Sequence, residues 1–339
     1  MGHPTASRML RPMQVSNTRA RSDIQRPAGL FARVDARELL FRGLVTAVAI
    51  GLVLLVALMI YELAHEALPA IRKFGVGFLW STDWNPPKER FGALPFIAGT
   101  LVTSLLALAF ATAIGVGAAV FLVEFAPGWL RVPLSYTIEL LAAIPSVVYG
   151  LWGVFVLGPW IQHTAGPFLL RYFAWVPFVD GPALGVGILA AVLILTIMIL
   201  PTIVAISREV IAAVPRSQRE GILALGATRW EMIRIAVLPY ARSGVLGAAI
   251  LGLARAIGET LAVALVIGNS TAIPHSIFSP AYTMASVIAN QFREVENDMH
   301  RAALIYIGLL LLLITLLVNA IARALVWRVT RGQSTTVIE

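Results

Sequence analysis

The chain has 339 residues, of which 58% are hydrophobic and only 13% charged, with a formal net charge of +8. Soluble domains carry about 25% charged residues, and several charge-free stretches here exceed the roughly 20 residues that cross a bilayer as a helix, so a soluble globular fold is excluded. No alternating segments of the membrane-barrel kind occur, and the absence of cysteine removes disulfides and thiolate metal sites.

In chain order, residues 1–40 form an arginine-rich arm, expected to be disordered and cytoplasmic. The apolar run that follows is too long for a signal-peptide core and has no small-x-small cleavage pattern after it, so it is expected to stay as an anchor. Gaps between charges predict six membrane helices near 43–61, within 95–123, and near 134–158, 184–206, 243–268 and 302–322. The expected fold is therefore all-α and polytopic, with a transmembrane domain over 41–330 and a tail at 331–339. The basic residues divide unevenly between the two sides. The N-terminal arm, the 124–133 and 207–242 loops and the tail hold 18 of them, whereas the opposite loops hold 7. That asymmetry places both termini in the cytoplasm and reads the arginines as loop and lipid-headgroup residues, with no nucleic-acid partner.

The outer loop at 64–94 contains WSTDWNPPKERFG, in which Trp80 and Trp84 suit the headgroup layer. Pro145 falls within the third predicted span and Pro201 near the end of the fourth. Each is expected to kink its helix, either as part of a gate or as a static bend. The chemistry of catalysis is missing. Neither Lys73 nor Lys88 follows a glycine, so there is no phosphate-cradling loop, and HEALP at 65–69 lacks the second histidine of a zinc protease. No nucleophile elbow occurs. No catalytic residue, metal ligand or cofactor is expected in this chain.

Two features carry information. The first is the long cytoplasmic segment 207–242, opened by Pro215 and closed by Pro239. Ile222, Leu225, Trp230, Met232, Ile233 and Val237 alternate there with charged residues, which suits two short helices broken near Gly226. A half-apolar ordered segment outside the bilayer either lies on the membrane surface or docks against another subunit. The second feature is a pair of intramembrane charges, Arg255 and Glu259, four residues apart and so expected on one helix face. Charges at that depth face a bundle interior or a water-filled path. A guanidinium suits an oxyanion by geometry and permanent charge. Alternatively, the pair bridges two helices or subunits. Glu139, in the third predicted span, is a possible further partner for Arg255 or an interfacial residue.

The segment at 220–239 resembles the coupling loop of ABC-importer permeases, with Glu220, Gly226, Leu238 and Pro239 at the matching spacing. It departs at Gly221, Ile222 and Ala236. LPFIAGTLVTSLLAL, ELLAAIPSVVYGLWGVFVLGP, LALGATRWEMIRIAVLPYARSGV and GLARAIGETLAVALVIGN narrow the resemblance to phosphate permeases of the PstC type, over about residues 94–325. It implies a type I ABC-importer permease fold in a prokaryotic plasma membrane, forming half of a phosphate path. It also implies a second related permease, a dimer of ATP-binding subunits that hold the ATP and Mg, and an extracytoplasmic phosphate-binding protein. Competing readings are a permease for another oxyanion, such as sulfate or molybdate, a secondary transporter, and a membrane-embedded enzyme. A secondary transporter calls for intramembrane carboxylates and an internal repeat; few of the former and no evident repeat occur.

Overall fold

The computed structural model describes residues 36–331, with side chains from 39 to 328. Among the described residues the regular structure is helical, and the sole β pairing consists of isolated bridges such as Asn85–Arg90. Residues 1–35 and 332–339, most of the predicted arm and nearly all of the predicted tail, lie outside the described residues. The chain divides into two units, one ending at Ala57 and the other beginning at Leu58.

The first unit contributes most of helix α1 (Ala36–Glu66). Leu52, Val53, Leu54 and Leu55 are all exposed. These residues fall on more than one side of the helix, and a helix that is apolar all round belongs in lipid or a large core.

In the second unit, α2 (Leu68–Phe74) precedes a looped segment and α3 (Leu94–Val120), which ends in a π turn at Phe121–Phe125. Next come α4 (Gly128–Ala143), α5 (Ser146–Trp152), α6 (Gly158–Trp160) and α7 (Gly166–Tyr172). Then follow α8 (Ile188–Ala212), α9 (Arg216–Ala224), α10 (Arg229–Met232), α11 (Leu238–Gly258) and α12 (Leu261–Val266). The last two are α13 (Met284–Gln291) and α14 (Asp298–Arg331).

Five helical runs are long and apolar enough to cross a membrane: Leu39–Glu66, Leu94–Phe125, Ile188–Ala212, Arg229–Gly258 and Asp298–Arg328. A sixth crossing is broken: Gly128–Ala143 and Ser146–Tyr172 meet at 94°. The sequence expectation of a single kinked third helix is corrected here. Ile144 and Pro145 both adopt extended backbone, with ψ of 129° and 141°, so Pro145 ends one helix and starts the next instead of bending one. The residue before a proline is pushed out of the α region, which accounts for Ile144. Pro201, by contrast, lies buried inside the continuous α8.

The core is built on α8, which packs against α3, α11, α12 and α5. Small residues permit the approach: a Cβ on Gly115 of α3 would sit 2.9 Å from Ile203 Cγ2 of α8. A second cluster joins Phe78, Phe91 and Phe96 to α13 and α14. Trp84, expected at the headgroups, is instead tied into this cluster. It packs edge-on against Phe91 and Phe96 and donates its Nε1–H to Gln291 Oε1 at 2.7 Å. Trp80 remains exposed.

Contacts show which ends of α3, α4, α7, α8 and α13 lie together. Thr100 Oγ1, near the start of α3, accepts the Met284 N–H at 2.8 Å. The Ile277 N–H donates to Phe178 O at 2.9 Å, and the Leu189 N–H to Ile277 O at 2.7 Å. The starts of α3 and α8, the segment after α7 and the segment before α13 therefore gather at one face. At the opposite end, Arg131 near the start of α4 donates to Val123 O at 3.0 Å, at the close of the α3 run. The α4–α7 pair thus begins at one end of the bundle and finishes at the other. That path suits a broken span better than a re-entrant loop and makes the pair a sixth candidate span.

Candidate functional site

The segment between α8 and α11 is ordered by local chemistry. Pro215, extended at φ −58° and ψ 139°, starts α9. After α9 the chain reverses at Gly226, whose φ of +86° lies in the left-handed region that only glycine adopts without penalty. Thr228 then caps α10: the Glu231 N–H donates to its Oγ1, and the Thr228 N–H donates to Glu231 Oε2 at 2.7 Å. The two predicted short helices broken at Gly226 are both present.

The predicted end of the segment is corrected. Helix does not begin afresh at Pro239 but continues through it from Arg229 to Gly258. The device is a π turn at Ile233–Val237, in which the Leu238 N–H reaches back five residues to Ile233 O. Pro239 therefore enters α11 at its first or second position, where a missing N–H is tolerated. Leu238 is half-buried and packs beneath this turn.

The apolar residues of the segment divide between two roles. Met232, Ile233 and Val237 are buried against Ala119, Val120, Ile211 and Val214 at the ends of α3 and α8. This chain itself thus covers much of what seemed to need a partner. Leu225 and Trp230 are 84% and 62% exposed. They flank Gly226, around which nothing lies within 4 Å of a built Cβ. Glu220 is also exposed. The outward face is thus a small apolar knob carried on a rigid two-helix base.

The intramembrane charges are arranged differently from the expectation. Helix α11 stops at Gly258, and Glu259 adopts extended backbone at ψ 126°. The two residues do not share a helix face and form no ion pair. Glu259 Oε1 instead accepts the Ala262 N–H at 3.3 Å, steadying the start of α12. Arg255 is exposed on α11. Glu139 pairs with Arg208 at 3.3 Å rather than with Arg255. That pair borders an open groove of about 480 Å³, shared with Arg131, Tyr136 and Glu209.

One arrangement was not read from the sequence. Arg219 of α9 lies 3.0 Å from Glu124, in the π turn that ends α3, and both side chains are largely buried. Arg219 also donates to Ile211 O at 2.7 Å. The available signal was Glu124 itself, a carboxylate closing a charge-free run that starts at Phe91.

Residues 111–331 match the family model described as "Binding-protein-dependent transport system inner membrane component". Curated relatives include the phosphate transport system permease proteins PstC of Pasteurella multocida, 44% identical over 87% of this chain and 93% of the relative, and of Mesorhizobium japonicum, 42% identical over 88% and 92%. The chain belongs to the PstC family of binding-protein-dependent transport permeases. Solved structures agree on the fold. A bacterial ABC transporter involved in the import of alginate superposes with a TM-score of 0.57 at 16% identity, over 86% of this chain and 97% of that one. The MetNI methionine ABC transporter does so with a TM-score of 0.50 at 19% identity, over 68% and 93%. The PstC-family chain is therefore a multi-pass membrane protein with the fold of ABC-importer membrane subunits, as the resemblance implied.

Proposed function

We propose that this chain is the transmembrane permease of an ATP-driven phosphate importer in a prokaryotic plasma membrane, with both termini cytoplasmic. It supplies half of the path, and a second related permease supplies the other half. A pair of ATP-binding subunits docks on the segment 215–239 and holds the ATP and Mg; an extracytoplasmic phosphate-binding protein delivers the substrate. The observation that carries this reading is the exposed Leu225–Gly226–Trp230 knob on its capped base, in a chain 41–44% identical to named phosphate permeases.

The segment is suited to passing on a displacement. Closure of the ATPase pair carries it as a body, because its apolar side is packed into the ends of α3 and α8. Its far side continues without interruption into α11. Arg255, on that helix, meets the passing anion briefly, since conduction requires contacts weak enough for release. Glu259 fixes the break beyond it rather than neutralising it.

The test is reconstitution with the partner subunits and measurement of ATP-dependent phosphate uptake. A Gly226→Asp chain is expected to remain in the membrane and to lose uptake at least tenfold, because a charged side chain would project from the knob into the docking groove. Normal uptake by that variant would overturn the docking role. Uptake that survives ATP depletion but collapses with the ion gradient would overturn the ATP-driven reading. Equal inhibition by sulfate or molybdate would overturn the choice of phosphate.

A further inference from the structure

We propose that Arg219 and Glu124 form the joint through which a displacement of the coupling segment moves the second membrane helix. The proposal rests on the coupling role given above and extends it to a helix that has no covalent link to the segment. Helix α9 connects through the chain to α8 on one side and, through α10, to α11 on the other. Helix α3 connects to neither end of it. What joins α3 to the segment is an apolar cluster, through Ala119 and Val120, and the ion pair. Apolar burial is non-directional, so a cluster alone permits sliding. An ion pair with a fixed bearing does not.

The geometry gives the pair that bearing. Arg219 reaches from α9 to Glu124 at 3.0 Å and to Ile211 O at 2.7 Å, so one guanidinium spans the ends of both α3 and α8. Arg131 also holds that turn, donating to Val123 O at 3.0 Å. The pair is nonetheless poorly satisfied. Glu124 Oε1 and Arg219 Nε are buried without an aligned hydrogen bond. A buried pair of this kind contributes little to stability compared with apolar packing, whereas removing one partner strands the other charge. Its fitness lies in position. Two π turns, Phe121–Phe125 and Ile233–Val237, border the same cluster. Such turns mark places where helix hydrogen bonding changes register. The joint therefore connects two helix ends able to shift and a coupling helix that is pushed.

Glu124 and Arg219 are positioning residues, and the test separates transmission from mere support. The complete transporter is reconstituted with Ala224→Cys, exposed beside the knob, as the sole cysteine of this chain, and a cross-link to the ATPase reports docking. Glu124→Gln is expected to assemble, to cross-link and to hydrolyse ATP, but to take up at least tenfold less phosphate per ATP. Arg219→Glu should behave likewise, and the exchange Glu124→Arg with Arg219→Glu should restore the ratio to within about threefold of the parent. An unchanged ratio with the cross-link intact would overturn the joint. So would a proportional loss of hydrolysis and uptake, or an exchange that assembles without restoring the ratio. Absence of the cross-link in the parent would instead overturn the coupling role beneath it. Should Glu124→Gln fail to assemble, Arg219→Lys, which keeps the charge but loses the planar fork, is read by the same ratio.

Discussion

Arg255 is exposed on a helix that otherwise presents Leu251 and apolar neighbours to its surroundings. A guanidinium exposed to lipid within a span is costly, so its exposed position calls for water, an anion or another subunit beside it. Glu259 does not meet that need, since its carboxylate is turned to the Ala262 N–H. Hydrogen bonds to a charged group are worth about 1.5–3 kcal/mol, so Arg255→Gln is expected to lower phosphate uptake about ten- to a hundredfold while the assembled complex elutes unchanged. Arg255→Lys keeps the charge but loses the planar two-pronged geometry and should recover part of the rate. Uptake by the Gln variant at the parent rate would reduce Arg255 to scaffolding. The expectation of an ion pair failed for a local reason. Spacing of four places two residues on one face only if the helix continues, and α11 ends one residue before Glu259.

Helix α3 lies against α8 along a stripe of small residues, including Ala107, Ala111 and Gly115. At Gly115 even a Cβ crowds Ile203 at 2.9 Å, and overpacking of a filled core costs about 1–3 kcal/mol. Gly115→Leu should therefore lower the thermal midpoint of the detergent-solubilised complex by several degrees, whereas Gly117→Leu, with nothing within 4 Å of its Cβ, should not. The spans themselves were legible because a charge-free run long enough to cross a bilayer has few other fates, and Gly226 marked its turn correctly. What stayed hidden depends on neighbours. The apolar residues of the coupling segment show a half-buried pattern whether the cover is a partner or the same chain, and nothing in their spacing says that α3 and α8 bury Met232 and Val237. Pro239 reads as a boundary because proline excludes itself from helix interiors. A π turn ahead of it, invisible in composition, carries the helix through. Pro145 reads as a kink because its effect on Ile144 is a preference rather than a certainty, and here the chain turns through 94°.

The path of the whole chain depends on the broken α4–α7 pair. Were it re-entrant, α8 would start from the face where α4 starts, and the coupling segment would emerge on the side opposite the N-terminal arm. Hydrogen bonds argue against that. The Ile277 N–H donates to Phe178 O beyond α7, and the Leu189 N–H at the start of α8 donates to Ile277 O, whereas Arg131 joins the start of α4 to the end of the α3 run. The sequence expectation, drawn from the 18-to-7 division of basic residues, places both termini and the coupling segment in the cytoplasm. The chain has no cysteine, so a single introduced thiol gives an unambiguous label. With a membrane-impermeant maleimide, Leu225→Cys should react only in inside-out vesicles, and Trp175→Cys, exposed beyond α7, only in right-side-out vesicles. The reverse pattern, with Trp175→Cys reacting only in inside-out vesicles and Leu225→Cys only in right-side-out vesicles, would mean that the bent pair does not cross, and the coupling segment would then lie outside the cytoplasm.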